Sequence, residues 1–346
     1  MKVLVTGNTG YLGPSICAEL TRAGHRVDGF DMDYYKSARY AHLPAGLVGK
    51  QKHGDIRDIS ARDFETYDAV VHLAGLSNDP LGDIDRDLTD QINHLAAVAV
   101  AKAAKAAGVR RIVMASTCSV YGASGGDMLD ETSGFAPVTA YAVSKLKMEE
   151  GVSALADAAF SPVFLRSGTV YGLSPAMRFD LVVNNLAAWA VSTGEIRLKS
   201  DGRAWRPIVH VDDVAKAFAF ATAAPRDQVH GAAFNVAISA ENFRIFELAE
   251  AIKTQIPEAR IVYGQGAGAD QRTYRVSGEK LAAVMGRDWA KTSLSEGVAG
   301  LVAAFRAKPV GPEQFEGPVF QRVAHLRKLQ ADGALDGGLR WAMADD

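Results

Sequence analysis

Along the first half of the chain, apolar residues fall in short continuous runs, each followed by a longer amphipathic stretch. Lys2–Thr6, Arg26–Asp31, 69–74, 111–116 and 162–167 read as buried strands, and 11–23, 88–107 and 141–159 as helices. Continuous apolar strands alternating with helices predict a parallel sheet covered on both faces. The expected fold class is α/β, a Rossmann-type doubly wound parallel sheet with a smaller mixed α/β C-terminal lobe. Beyond about residue 172 the pattern loosens. There 179–191, Val211–Ala223, 244–253, 278–285 and 293–306 read as helices, with Glu195–Leu198 and 206–209 as short strands. Residues 1–172 are expected to form the main domain, with about 206–240 returning to it. Residues 173–310 would form the smaller lobe, and 311–346 a tail of undefined role with an amphipathic piece at 320–329.

Composition narrows the function classes. The chain has 346 residues, 48% of them hydrophobic, enough for a sizeable core. A formal net charge of −2 gives no broad pull toward nucleic acid or an anionic membrane. An anionic substrate would have to be held by a few local arginines. No apolar run reaches the ~18 residues of a membrane span, and the apolar start MKVLVTG is too short for a secretory signal. The two cysteines, Cys17 and Cys118, form no disulfide framework and fit a reducing, cytoplasmic setting. No His/Cys/carboxylate cluster stands at ligand spacing, so no metal is expected.

The first strand runs into Thr6-Gly7-Asn8-Thr9-Gly10-Tyr11-Leu12-Gly13, a T-G-x-x-G-x-x-G pattern between strand and helix. Gly7 would permit the tight turn, Gly10 a close approach of backbone to pyrophosphate, and Gly13 packing of helix on strand. The helix start, with Thr9, Tyr11 and Leu12, would offer N–H groups and partial positive charge to phosphates. Asp31 ends the second strand, 18 positions after Gly13, where a carboxylate can accept from the adenine ribose. Met32 and Asp33 follow with no arginine, so NAD is favoured over NADP. Asp55, with Ile56 beside it, could accept from an adenine amino group.

Tyr141 and Lys145 stand four apart at the start of a predicted helix, on one face. A phenol of ordinary pKa near ~10 is a poor base, and a neighbouring ammonium favours its phenolate. Upstream, Ala115-Ser116-Thr117-Cys118-Ser119-Val120-Tyr121-Gly122 sets four hydroxyl or thiol side chains just past a strand, where open α/β sheets bind ligands.

Taken with His72-Leu73-Ala74-Gly75, Asn93, 165–172 and 206–213, these motifs resemble the extended short-chain dehydrogenase/reductase family over residues 1 to about 305. The resemblance implies roles. Thr117 would hydrogen-bond the reacting sugar oxygen, Tyr141 would be the general acid/base, and Lys145 would hold the nicotinamide ribose and tune Tyr141. Leu73, Ala74 and Gly75 would line the pyrophosphate and nicotinamide ribose, with Ala115 nearby. Ser167 and Gly168 would border the nicotinamide, and Asn93 would sit on the helix behind the site. Arg206 would pair with a nucleotide diphosphate oxygen.

The resemblance also implies a nucleotide-diphosphate sugar as substrate and a homodimer paired through helices 88–107 and 141–159. Related 4,6-dehydratases carry an Asp-Glu pair after the catalytic Thr. Cys118 and Ser119 stand there instead, which argues against that branch. An NAD-dependent 4-epimerase and an NAD(P)H-dependent 4-ketoreductase remain, with a non-catalytic dinucleotide sensor as a third reading. Ser116, Cys118, Ser119 and Thr169 are candidates for the substrate side, Cys118 as a second acid/base or a packed filler. Arg178 and Asn185 are further candidates. Related epimerases carry an arginine at the position of Ala267. Arg272, two after Asp270, could replace it.

Overall fold

The computed structural model describes residues 1–77, 85–122, 127–264 and 273–342. Fourteen strands occur among the described residues: β1 (Lys2–Thr6), β2 (Arg26–Asp31), β3 (Gln51–His53), β4 (Ala69–His72), β5 (Arg111–Thr117), β6 (Met128–Leu129), β7 (Ser161–Ser167), β8 (Thr169–Tyr171), β9 (Glu195–Leu198), β10 (Trp205–His210), β11 (Ala233–Val236), β12 (Asn242–Arg244), β13 (Arg260–Tyr263) and β14 (Arg275–Val276). Seven form one sheet in the order β11-β7-β5-β4-β1-β2-β3, and every pair in it is parallel. The inner strands start close to where the hydrophobic runs predict, because they are buried on both faces, whereas the edge strand β3 is exposed. Val3, Leu4 and Val5 of β1 are fully buried and alternate between two hydrophobic clusters on opposite sides of the sheet.

Strand order reverses between β1 and β4, the switch point at which such sheets open a crevice at their carboxyl ends. β1 leads into the helix Gly13–Arg22. The predicted helix 88–107 is interrupted: Arg86–Asp90 and Ala97–Ala106 flank one wide π turn, Gln91–Ala96. The third crossover helix, Ala140–Ser153, stops six residues short of its predicted end. The Asp157 side chain takes the amides of Ala159 and Phe160, each at 2.8 Å, and turns the chain into β7.

The smaller lobe holds β10 between β8 and β12, the parallel pair β9–β13 and the short pair β6–β14. Helices Val182–Thr193, Ile245–Gln255 and Leu294–Ala307 pack around them in the same core as one face of the main sheet. The tail does not trail away. Its helix Arg322–Ala331 and the bridge between Leu335 and Trp341 pack on the loop after β2. No helix among the described residues is long and apolar enough to cross a membrane.

Candidate active site

A cavity of about 770 Å³ opens at the carboxyl ends of β1, β2, β4, β5 and β7 and continues into the smaller lobe. That is where a doubly wound sheet leaves room for a ligand.

The glycine loop forms its floor. Gly7 has φ +77°, and a Cβ there would stand 2.5 Å from the Ala74 nitrogen, so β1 and β4 can approach only without a side chain. A Cβ on Gly13 would meet the Asn8 carbonyl oxygen at 2.2 Å. Gly13 therefore serves helix packing and does not line the cavity, unlike Gly7, Thr9, Gly10, Tyr11 and Leu12. No side chain caps the helix that starts at Gly13, and no acidic residue occupies its first turn. Its N-terminal N–H groups are left facing a cavity, which suits an anion. At the far end, half-buried Asp31 accepts from the amides of Thr9 at 2.9 Å and Asp33 at 2.8 Å. Burial pushes its carboxyl up, and those N–H groups pull it back. A phosphate cradle joined to a ribose-facing carboxylate fits NAD.

Two charge expectations change here. Asp33 does not line the cavity and is ion-paired with Arg39, which leaves Asp31 as the carboxylate of this pair that reaches the cavity. Asp55 and Ile56 line the cavity, but the Asp55 carboxylate is held bidentately by Arg57, at 2.5–3.0 Å. Its best lone pairs are spent on Arg57 rather than offered to adenine.

The reacting end gathers Thr117, Tyr141 and Lys145 on the cavity wall. Thr117 ends β5, and Thr139 caps the helix that begins at Ala140, accepting from the Ala142 amide at 3.1 Å. Tyr141 and Lys145 thus share one face, with the ammonium 6.0 Å from the Tyr141 ring centroid. Lys145 donates to the Ala115 carbonyl at 2.9 Å. Burial pulls its pKa down to about 8, against the opposing effect of Glu149. The Thr117 hydroxyl accepts from the Ser119 amide and donates to the Ser119 hydroxyl, both at 3.1 Å. Leu73, Ala74, Gly75, Ala115, Ser167 and Gly168 also line this end.

A polar layer lies beneath. The Ser116 hydroxyl donates to Glu149 at 2.5 Å, and Arg166 holds Glu149 from 2.5 to 3.2 Å. Arg166 also donates to the Tyr121 hydroxyl, which donates to Asn235. Ser116 borders the cavity, yet its hydroxyl is committed to this network. Asn93, set inward by the π turn, clasps Leu76: its carbonyl accepts from the Leu76 amide at 2.7 Å and its amide donates to the Leu76 carbonyl at 2.9 Å. It holds the loop after β4 and does not itself line the cavity.

The placement of Cys118 corrects the expectation of a sugar-facing thiol. Its side chain is fully buried against the Arg166 carbonyl, 3.1 Å away, outside the cavity. Burial raises its pKa well above the usual thiol range, so it is no acid/base at neutral pH. The 3-10 turn Cys118–Tyr121 directs residue 118 inward and leaves Ser119 on the wall.

On the smaller lobe, Arg206, Thr169, Arg178 and Asn185 line the cavity. Arg178 is paired with Asp180 at 2.6 Å and donates to the Ser77 carbonyl at 3.1 Å. Asn185, a candidate for contact to the diphosphate or the sugar, has its donors already engaged. Its amide protons go to the Phe179 carbonyl at 2.8 Å and Glu316 at 3.0 Å. Arg272 lies outside the described residues. Arg197 and Lys199, which sequence reasoning missed, also line this wall beside Arg206, Arg197 paired with Glu195 and Lys199 with Glu316, each at 2.8 Å. Arg197 falls on β9 and Lys199 just past it, and the strand's alternation does not say which face meets a ligand.

Sequence reasoning also missed Tyr34, Tyr35 and Arg322. The tail brings Arg322 into the cavity and surrounds the loop after β2. Trp341 donates to the Met32 carbonyl at 2.7 Å, Arg57 to the Gly338 carbonyl at 2.8 Å, and Arg340 pairs with Asp58.

Comparison with known proteins agrees with this geometry. The model of the family described as "NAD dependent epimerase/dehydratase family" matches residues 3–237. The chain is 28% identical to the UDP-glucose 4-epimerase of Bacillus subtilis (strain 168) over 242 residues, covering 62% of this chain and 71% of that protein. It is 32% identical to the 2-alkyl-3-oxoalkanoate reductase of Stenotrophomonas maltophilia (strain K279a), covering 68% of this chain and 69% of that one. Among solved structures, MoeE5 in complex with UDP-glucose and NAD superposes with a TM-score of 0.76 at 28% identity, over 90% of this chain and 100% of that chain. The chain belongs to the NAD dependent epimerase/dehydratase family, an extended short-chain dehydrogenase/reductase fold, and NAD is its cofactor.

Proposed function

We propose that the chain is a nucleotide-sugar epimerase that oxidises the sugar at C4 and returns the hydride to the opposite face. The observation that carries this reading is one continuous cavity. It holds Thr117, Tyr141 and Lys145 at the sheet end and the cations Arg197, Lys199 and Arg206 at the lobe end. A sugar with an anionic handle, such as a nucleotide diphosphate, would span two such ends.

NAD, when bound, takes up the hydride and gives it back. The chain's residues do the rest. Tyr141 takes the proton from the C4 hydroxyl and later restores it. Thr117, aligned by the Ser119 amide, orients the reacting oxygen. Lys145 holds positive charge beside the Tyr141 phenol and favours its ionised form. Glu149 and Arg166 fix the floor under Ser116 and Lys145.

A 4,6-dehydratase needs a carboxylate acid/base beside the sugar. The carboxylates lining the described cavity are Asp31, Asp55 and Asp180, and the latter two are occupied by Arg57 and Arg178. A 4-ketoreductase must exchange its dinucleotide each turnover. The tail packed over the loop after β2 favours a dinucleotide that stays, and so favours the epimerase. Exposed Leu95, in the π turn Gln91–Ala96, and exposed Val143, on the helix Ala140–Ser153, support a homodimer paired through these two segments.

The test is to incubate purified protein, without added cofactor, with UDP-, dTDP-, GDP- and CDP-sugars and to analyse products by NMR. Epimerised product is expected. Product formed only with stoichiometric NADH or NADPH would overturn this reading in favour of a reductase.

A further inference from the structure

The tail carries a group that none of the family motifs supplies. Arg322, at the start of the helix Arg322–Ala331, is only 5% exposed and lines the cavity. Its guanidinium carbon lies 3.5 Å from the Tyr35 ring centroid, and one nitrogen donates to the Ala176 carbonyl at 3.0 Å. It makes no ion pair among the described residues. Asp180, a carboxylate that acts on it, is already held by Arg178. Burial works against its charge. A guanidinium has five N–H donors, and a stacked, buried one with donors to spare is expensive unless an anion meets it.

Its surroundings say which anion. Tyr35 lies just past β2, four residues after Asp31. His325, on the same tail helix, has its ring against Tyr35 with centroids 5.5 Å apart and a ring nitrogen 3.0 Å from the Tyr34 carbonyl. Trp341 and Arg57 tie the end of the tail to the same loop. Arg322 is thereby held between the loop after β2, which follows the cofactor-side strand, and Ala176 of the smaller lobe. The cations suited to a substrate diphosphate, Arg197, Lys199 and Arg206, belong to the smaller lobe.

We propose that Arg322 is a dinucleotide-binding residue, which meets the diphosphate of NAD from the side opposite the glycine loop. The tail is then a clasp that brings a fixed guanidinium over the phosphates after Tyr34 and Tyr35 have seated it. Arg322 is suited to this because its planar fork can engage two phosphate oxygens while its face stacks on Tyr35. The inference rests on the NAD site and not on the epimerase reading, so it stands or falls separately from turnover.

The test measures binding, by calorimetry on the full chain freed of cofactor. The probes are NAD, ADP-ribose, adenosine and UDP. Arg322→Met keeps the apolar stem and removes the charge. It is expected to weaken NAD and ADP-ribose about 10-fold or more, while adenosine and UDP change less than about 2-fold. Arg322→Lys keeps a charge without the fork and should fall between. Three results would overturn the proposal: unchanged NAD affinity, an equal loss for adenosine (packing alone), or a loss for UDP in place of NAD. If Arg322→Met does not fold, Arg322→Lys decides. ADP-ribose weakened about 3-fold with adenosine unchanged supports the proposal, and equal losses overturn it.

Discussion

Replacing Lys145 with methionine separates what the active site needs from what the fold prefers. The ammonium is fully enclosed, and burial brings its pKa from an ordinary 10.5 to about 8. At ~1.36 kcal/mol per pH unit, that difference corresponds to about 3 kcal/mol of destabilisation while the lysine is charged. Below pH 8 the lysine is charged whether folded or unfolded, and the full penalty is present. Between about 8 and 10.5 the unfolded chain keeps its proton while the folded one sheds it, so the parent gains stability as pH rises. Methionine fills the same space and does not titrate. Removing the lysine also strips the Ala115 carbonyl of a donor, at a cost of about 1–3 kcal/mol. At neutral pH the two effects nearly offset, leaving the variant within about 2 kcal/mol of the parent. The assay is urea unfolding of cofactor-free protein, parent and Lys145→Met, at intervals from pH 7 to 10. The parent should gain on the variant by about 2–3 kcal/mol across that range, while turnover of the variant is lost ~10²-fold. A stability difference that stays flat with pH would refute the reasoning, because it would mean that Lys145 is not desolvated.

Four other outcomes follow from the geometry. Tyr141→Phe should lower turnover at least ~10²-fold with NAD still bound, measured by steady-state rates and cofactor content. Cys118→Ala should leave turnover within about 3-fold, and the wild-type thiol should resist alkylation in the folded protein, because the side chain faces the core. Glu149→Gln breaks a buried ion pair and should destabilise by about 3–5 kcal/mol in denaturant unfolding, with Arg166 left uncompensated. Asp31→Ser should narrow the preference for NAD over NADP by at least about 10-fold in direct binding, if the cavity-lining carboxylate at the end of β2 is the group that meets the adenine ribose.

Much of this site was legible in the chain because its chemistry is local in sequence. The strand–glycine loop–helix unit, Asp31 and the Tyr141/Lys145 pair each depend on neighbours within a few turns. The residues that were misread depend on direction or on distance. Cys118 and Ser119 are adjacent, and only the 3-10 turn decides which one faces the cavity. Asp55 and Asn185 look available in a motif, yet Arg57 and Glu316 claim their polar atoms. Asp33 follows a strand end with no arginine in sight, and Arg39 returns to it from six residues on. The tail was unreadable because its partners, Met32, Tyr34 and Arg57, lie some three hundred residues earlier. Local periodicity shows a helix at 320–329 but not the loop it covers. The pattern overestimates the helix from Ala140, because it does not register the competing turn at Asp157.

The central claim is that hydride leaves and re-enters the same carbon without leaving the protein. It is tested most directly with a UDP-sugar carrying deuterium at C4, turned over without added cofactor and followed by NMR and mass spectrometry. The account predicts an epimer that keeps its deuterium at C4, with none lost to solvent. Loss of the label, or turnover that appears only when NADH or NADPH is supplied in equal amount, would contradict it.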